Sequence, residues 1–174
     1  MLEIQKQIIE HGLDAIVEKY SLSKRNHTKF PNLVLLKYDI GSPMGEKAVQ
    51  QCRGIILDST NNWEVISRPF DKFFNLTEGH AAEIEWDSAR VWEKLDGSLV
   101  PMYWYGGEWN FSTSGSPDAA GQVNELGFSF NDLIKQVWNE LGYQYPQYVD
   151  LTYIFELCTK HNKIVVDYKG KNRL

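Results

Sequence analysis

The stretch KLDGSLV, residues 94–100, decides the fold. An Asp-Gly pair between two apolar runs is a strong signal for a two-residue hairpin turn, so it predicts strands over 90–94 and 98–105. A lysine at the end of a strand, beside a tight turn, can be held rigidly at the wall of a pocket. The ordinary alternative is a surface lysine beside a common hairpin, so Lys94 becomes a candidate site residue only if other blocks support it.

Short apolar runs on both sides of this stretch predict further strands and a few helices. The predicted helices cover residues 2–20, 119–126 and 129–141, and the polar segment 21–31 is predicted to be a loop. The remaining predicted strands cover residues 33–38, 53–57, 63–67, 108–113, 151–157 and 163–168. Hairpins rather than regular strand-helix-strand units favour an α+β fold with antiparallel sheets.

Composition excludes several classes of protein. The chain has 174 residues, 43% of them apolar, with 18 basic and 23 acidic side chains, which fits one globular domain and argues against a wholly basic nucleic-acid coat. No apolar run is long enough for a membrane helix, and the N-terminal residues do not resemble a secretion signal. Two distant cysteines, Cys52 and Cys158, indicate reduced thiols and a cytoplasmic protein. The four histidines lack metal-ligand spacing, so no metal-binding residues are predicted.

Other blocks accompany the Lys94 stretch in a fixed order. They read QCRGII at residues 51–56, SRPFDKFFN at 67–75, FEL at 155–157 and NKIV at 162–165. Together they resemble the covalent nucleotidyltransferases, the superfamily of ATP-dependent DNA and RNA ligases and capping enzymes, and most closely the RNA ligases of the T-even phage type. The resemblance covers nearly the whole chain and implies an α+β nucleotidyltransferase fold, ATP-grasp-like, with antiparallel sheets.

The resemblance also implies roles for individual residues. Lys94 matches the nucleophile that carries AMP, and Gly97 matches a glycine whose backbone approaches the nucleotide. The other matches are positions that serve the nucleotide in this family: Arg53, Lys72, Phe74 and Glu156. From the residues alone, Arg53 could equally be a solvated strand end, and one of the two phenylalanines at 73 and 74 is expected to belong to the core. A carboxylate at the centre of a strand, as at Glu156, needs a partner or a ligand.

The chemistry explains why basic residues should surround such a lysine. Only about one in a few thousand ordinary lysines is neutral at pH 7, and nearby cations favour the neutral, nucleophilic amine. The same cations stabilise charge on the phosphate that is transferred and on the pyrophosphate that leaves. The candidates are Arg53, Arg68 and Lys72. The cofactors that the resemblance implies are ATP and Mg²⁺, and the partners are RNA 5′-phosphate and 3′-hydroxyl ends in RNA repair.

The sequence departs from the family pattern in two ways. The late E-G-[YF]-V and K-x-K blocks are absent, and the K-x-K spacing at Lys169 and Lys171 comes too early to match. Ser114 stands where the family usually has a basic residue before Gly-Ser. Residues 1–174 are therefore expected to be the N-terminal portion of a single adenylyltransferase domain, completed by a missing C-terminal portion or by a second chain, with adenylylation reduced to a trace.

Two other functions stay open at this level. The first is a non-catalytic nucleotide- or RNA-binding module on the same scaffold, which the departure at Ser114 favours. The second is a binding protein of unrelated fold whose Trp104 and Trp109 stack on bases, although ordinary packing of strands explains such aromatics equally well.

Overall fold

The structure is a computed structural model that describes residues 1–123 and 127–174, and it has an α+β architecture with two antiparallel sheets. The described helices are α1 Glu3–His11, α2 Leu13–Lys19, α3 Lys47–Gln50 and α4 Phe130–Glu140. The described strands are β1 Leu22–Asn26, β2 Leu33–Tyr38, β3 Arg53–Asp58, β4 Glu64–Ser67, β5 Ser98–Tyr105, β6 Glu108–Phe111 and β7 Tyr153–Leu157. The predicted α+β class with antiparallel sheets is confirmed.

The first sheet has the strand order β1-β2-β3-β4, and each strand pairs with its neighbour in sequence. Helices α1, α2 and α3 pack on one of its faces, where Ile4, Ile8 and Ile16 are buried against strand residues. The predicted helix over 2–20 is interrupted at Gly12, whose φ of 87° lies in the left-handed region that favours glycine. Within the described ranges, no helix is long and apolar enough to cross a membrane.

The second sheet has the strand order β6-β5-β7, with α4 packed on one face. Val100 and Met102 of β5 lie in the cluster that includes α4, whereas Tyr103 packs on Leu35 and Ile56 of the first sheet. Side chains alternate between the two faces of a strand, so the two sheets meet through the Tyr103 face of β5.

Four local predictions are wrong. Residues 90–94 and 163–168 form no strand, and the predicted loop over 21–31 contains β1. Residues 119–123 are not helical, and residues 124–126 lie outside the described residues. Instead of a strand at 90–94, β7 pairs with Ser98–Met102, the part of β5 that follows the predicted turn.

Asp58 joins the two sheets through hydrogen bonds. Its carboxylate accepts from the Tyr105 hydroxyl at 2.8 Å, from Asn32 Nδ2 at 2.9 Å, and from Thr60 through its backbone amide at 2.9 Å and its hydroxyl at 2.7 Å. Burial opposes ionisation of Asp58, but these hydrogen bonds outweigh it and lower its pKa to about 2.

We therefore expect Asp58→Asn to remove a pH-dependent part of the stability. A carboxyl group whose pKa is lower in the folded state stabilises the fold above its unfolded pKa, and this contribution disappears as the pH falls through the folded pKa. Between pH 7 and pH 2, the amount by which the free energy of unfolding of the wild type exceeds that of Asp58→Asn should shrink by on the order of 1–2 kcal/mol. Urea unfolding at both pH values measures this.

The matched control is Asp87→Asn, because Asp87 is exposed and its carboxylate has no hydrogen bond in the described part of the chain. An advantage of the wild type over Asp58→Asn that stays constant across this pH range would contradict the assigned role of the Asp58 carboxylate.

Candidate functional site

Lys94 lies in an irregular segment, residues 94–97, which we call the Lys94 loop. The side chain of Lys94 is exposed, and its ammonium group makes no hydrogen bond or ion pair within 1–123 and 127–174. The sequence placed Lys94 at a strand end, and this placement is wrong. A free ammonium group at the surface leaves Lys94 available for a ligand.

Asp96 connects the Lys94 loop to the segment that follows β7. Its Oδ2 accepts hydrogen bonds from the backbone amides of Val165 and Val166, both at 2.7 Å. Its own backbone amide donates to the Tyr168 hydroxyl at 2.8 Å. The amides of Val166 and Val165 lower the pKa of the Asp96 carboxyl group, which therefore stays ionised. Asp96 and Tyr168 were not predicted as site residues, although the place of Asp96 in the KLDGS block is a signal that could have identified it.

Gly97 and Glu156 meet directly. The backbone amide of Gly97 donates to Glu156 Oε1 at 3.1 Å, which gives the half-buried carboxylate the partner that its place in a strand demands. The φ of Gly97 is not in the left-handed region, so the predicted hairpin turn is wrong. Glycine is required here for another reason: a Cβ atom would lie 2.7 Å from Cys158 Sγ and even closer to the carbonyl oxygen of Leu157.

A cavity of about 400 Å³ opens beside the Lys94 loop. Apolar side chains form part of its wall, and hydroxyl and amide side chains form another part. The lining residues are Gly97, Ser98, Leu99, Thr113, Ser114, Ser116, Ala119, Gly121, Gln122, Phe130 and Ile164. Leu99 pairs with Glu156 across β5 and β7, so the glutamate projects from the same face of the second sheet as Leu99.

A second cluster is formed by Arg53, Lys72, Phe73 and Phe74, and we call it the Lys72 cluster. The guanidinium group of Arg53 lies 4.8 Å from the centre of the Phe73 ring, and the ammonium group of Lys72 lies 4.8 Å from that of Phe74. Phe73 is 59% exposed and Phe74 is half-buried, so the expectation that one of them belongs to the core is wrong. Arg53 Nη1 is buried and has no hydrogen-bond partner in the described residues.

A cavity of about 620 Å³ lies against the Lys72 cluster, lined by Lys72 and Phe74 together with Lys37, Tyr38 and His80 among others. The neighbouring Arg68 is already engaged, since its Nη2 lies 3.3 Å from Asp71.

Burial opposes ionisation of Asp71, but hydrogen bonds from Lys47 and Arg68 outweigh it and lower the pKa of the carboxyl group. Arg68 therefore has an acidic partner, whereas Arg53 stacks on Phe73, and Lys72 stacks on Phe74 and donates to the Phe73 carbonyl oxygen at 3.3 Å.

The two clusters approach each other through Gly54, the residue after Arg53. A Cβ atom on Gly54 would lie 3.0 Å from the α carbon of Ser114, and Ser114 lines the same cavity as Gly97. Gly97 and Glu156 belong to the first group with Lys94, whereas Arg53, Lys72 and Phe74 belong to the Lys72 cluster. The predicted site residues thus form two groups on either side of this close contact.

The alternative of base stacking concerns two tryptophans on neighbouring strands. Trp104 and Trp109 are paired across β5 and β6, with ring centres 5.4 Å apart in an edge-to-face arrangement, which is ordinary packing of strands. In the ranges 1–123 and 127–174, no group of three or more histidine, cysteine or acidic side chains could hold a metal ion.

Comparisons with known proteins identify relatives of the chain. A sequence model of a family described as RNA ligase matches residues 51–174. The chain is 31% identical over 185 aligned residues to a protein of Autographa californica nuclear polyhedrosis virus that carries the provisional name bifunctional polynucleotide kinase/RNA ligase; the match covers 97% of this chain and 26% of the viral protein. It is also 31% identical over 174 aligned residues to an RNA ligase of Rhodothermus phage RM378, with 81% of this chain and 40% of the phage protein covered.

We expect Gly97→Ala to destabilise the protein, because the new methyl group would overlap the backbone of β7 at Leu157. Overpacking of this kind costs about 1–3 kcal/mol and would weaken the hydrogen bond to Glu156. Urea unfolding measures the loss. Gly41→Ala is the matched control, since a Cβ atom there meets nothing within 4 Å. Equal stability of the two variants would show that the close packing at Gly97 is not required.

Proposed function

The chain belongs to the RNA ligase family, whose members are ATP-dependent nucleotidyltransferases, and from this membership we propose that it joins RNA 5′-phosphate and 3′-hydroxyl ends through AMP bound covalently to Lys94. We also propose that residues 1–174 belong to a single adenylyltransferase domain with the nucleotidyltransferase fold. Because the chain spans 26% and 40% of the lengths of the relatives it matches, the activity of the whole protein is part of the proposal. The observation that carries it is that Gly97, three residues after Lys94, lines the 400 Å³ cavity and donates its amide to Glu156.

The proposed reaction has three displacements at phosphorus. Lys94 Nζ, after losing a proton to solvent, attacks the α-phosphorus of ATP; the N–P bond forms and the P–O bond to pyrophosphate breaks. An oxygen of the RNA 5′-phosphate then displaces Lys94 and takes the AMP. The RNA 3′-hydroxyl finally attacks that 5′-phosphorus, forms the phosphodiester, loses its proton and releases AMP.

The residues around the Lys94 loop fit ATP. Leu99, Phe130 and Ile164 give the 400 Å³ cavity apolar walls, and the Thr113 and Ser116 hydroxyls add polar contacts, as a nucleoside requires. The second carboxylate oxygen of Glu156 makes no hydrogen bond in the described residues, so it can accept hydrogen bonds from ribose hydroxyls.

Phosphates have a separate set of candidate partners. The buried Nη1 of Arg53 lacks an acceptor, and the phosphate oxygens of ATP would supply one. Lys72 is the second cation of that cluster, and fixed cations stabilise the charge that develops on the phosphates during transfer.

The family also implies Mg²⁺, and the described side chains fit this ion less well than they fit ATP. The described residues offer no group of three acidic, histidine or cysteine side chains for a metal ion. Mg²⁺ is commonly held by one or two carboxylates together with substrate phosphates, and it neutralises phosphate charge in such sites. No step is therefore assigned to a metal held by these residues.

One observation favours the alternative of a non-catalytic binding module. Ser114 lines the 400 Å³ cavity beside the Lys94 loop, at a position where the family usually has a basic residue, so the wall offers a hydroxyl there instead of a cation that would stabilise phosphate charge. Under this alternative the protein binds ATP without forming a covalent adduct.

Incubation with ATP and Mg²⁺ should add the mass of one AMP to a trace of the protein, and Lys94→Ala should abolish this gain. An alanine has no amine, so no phosphoramidate can form. Intact-protein mass spectrometry measures the adduct. The matched control is Lys6→Ala, which also removes an amine but lies on α1, lines neither of these cavities and should still carry AMP on Lys94.

An adduct of equal size in Lys94→Ala would show that another residue is the nucleophile. ATP binding without any adduct in the wild type would select the non-catalytic module instead.

We expect Asp96→Asn to slow transfer of AMP to Lys94 by about tenfold to a hundredfold, because a misplaced reacting group is costly even when binding persists. Asp96 contacts the backbone of 165–166 rather than ATP in this proposal, so the apparent affinity for ATP should change by less than about threefold. Single-turnover kinetics across ATP concentrations separate the two effects.

Asp167→Asn is the matched control for Asp96→Asn. It removes the same charge from the segment that Asp96 contacts, but in the described residues Asp167 bonds Lys163 and the Lys169 amide rather than the Lys94 loop. A parallel loss of ATP affinity and rate in Asp96→Asn would contradict a positioning role for Asp96.

A further inference from the structure

Basic side chains are concentrated in residues 160–173, which we call the basic segment. It has five basic side chains and a single acid, a formal charge of +4. The whole chain carries −5, which leaves −9 for the other 160 residues. The basic residues are Lys160, Lys163, Lys169, Lys171 and Arg173, and all five are exposed. A positive segment on an acidic protein produces a local field that attracts polyanions to one place.

Most of these charges have no acidic partner in the described residues. Lys169 has a φ of 54° and Gly170 one of 74°, so the chain turns between Lys169 and Lys171. The one acid, Asp167, already accepts hydrogen bonds from Lys163 Nζ at 3.1 Å and from the backbone amide of Lys169 at 2.8 Å. The ammonium groups of Lys160, Lys169 and Lys171 make no ion pair in the described residues.

The basic segment is fixed beside the proposed nucleophile. Val165 and Val166, in the middle of the segment, donate to Asp96, which is two residues from Lys94. Tyr168 accepts from the Asp96 amide, and the Arg173 backbone exchanges two hydrogen bonds of 3.0 Å with Cys158. A polyanion bound along this segment therefore lies next to the Lys94 loop.

We propose that the basic segment binds the phosphate backbone of the RNA strand whose end reacts at Lys94. This inference rests on the proposed RNA ligase function and adds where the substrate docks. Phosphate groups could come from RNA or from the triphosphate of ATP. RNA is favoured because the charges extend along 14 residues on the outside of the protein, whereas the ATP-sized cavity is lined by none of these lysines.

The test replaces Lys160, Lys163, Lys169 and Lys171 by alanine together. Binding of a short 5′-phosphorylated single-stranded RNA, followed by fluorescence anisotropy over a series of salt concentrations, should weaken at least about tenfold at low salt. The slope of log affinity against log salt should become shallower by about 3, because each lost phosphate contact on a single strand contributes about 0.7.

A second quartet is the matched control: Lys6, Lys19, Lys24 and Lys29, replaced by alanine, remove the same charge from the exposed surface of the first sheet and its helices. This variant should keep most of the RNA affinity and the wild-type salt slope. Equal losses in both quartets would overturn the proposal, because net charge rather than the basic segment would then explain binding.

Formation of the Lys94–AMP adduct, which needs no RNA, separates the two phosphate sources. If the variant that lacks the four lysines of the basic segment forms no adduct but still binds RNA, these lysines bind ATP instead, and the proposal is overturned. Absence of adduct in the wild type would refute the ligase function alone, since anisotropy still decides whether the segment binds RNA. Should the quartet fail to fold, the pair Lys169→Gln and Lys171→Gln applies the same test, with an expected change in slope of about 1.4.

Discussion

The position of Lys94 depends on hydrogen bonds made by its neighbours Asp96 and Gly97, because none of the described strands pairs with this part of the chain. Backbone groups outside a ladder need other partners, and here one carboxylate supplies two acceptor contacts while another receives the Gly97 amide. The same few hydrogen bonds hold Gly97 in the wall of the 400 Å³ cavity and connect the basic segment to the Lys94 loop. A local change at Asp96 therefore reaches both the proposed ATP site and the proposed RNA surface.

The sequence predicted those elements whose signals are local. Strand β2 and helix α4 have strong apolar patterns, and they lie where the patterns indicate. The hairpin at Asp-Gly was predicted from local turn chemistry alone. It is absent because β7, more than fifty residues later, pairs with β5 where the hairpin partner would have been. Local propensity could not reveal that competition.

For the candidate site, too, the sequence predicted some features and not others. The identities of Lys94, Arg53, Lys72, Phe74 and Glu156 follow from ordered blocks, and their roles remain predictions. Their contacts were not predictable, because Arg53 stacks on the exposed Phe73 and the Lys94 loop is held by Tyr168. Such contacts join residues far apart in sequence, and nothing in either segment alone specifies the other.

The pairing of β5 with β7 also sets an order of assembly during synthesis. The first sheet uses only residues 22–67, each strand beside its sequence neighbour, so it can close soon after it leaves the ribosome. Ser98 cannot pair with Leu157 until the later residue has been synthesised, and contacts across such a separation in sequence form slowly. A nascent chain that stalls before Leu157 would carry a finished first sheet, with Arg53 in its strand, while the Lys94 loop still lacked everything that supports it.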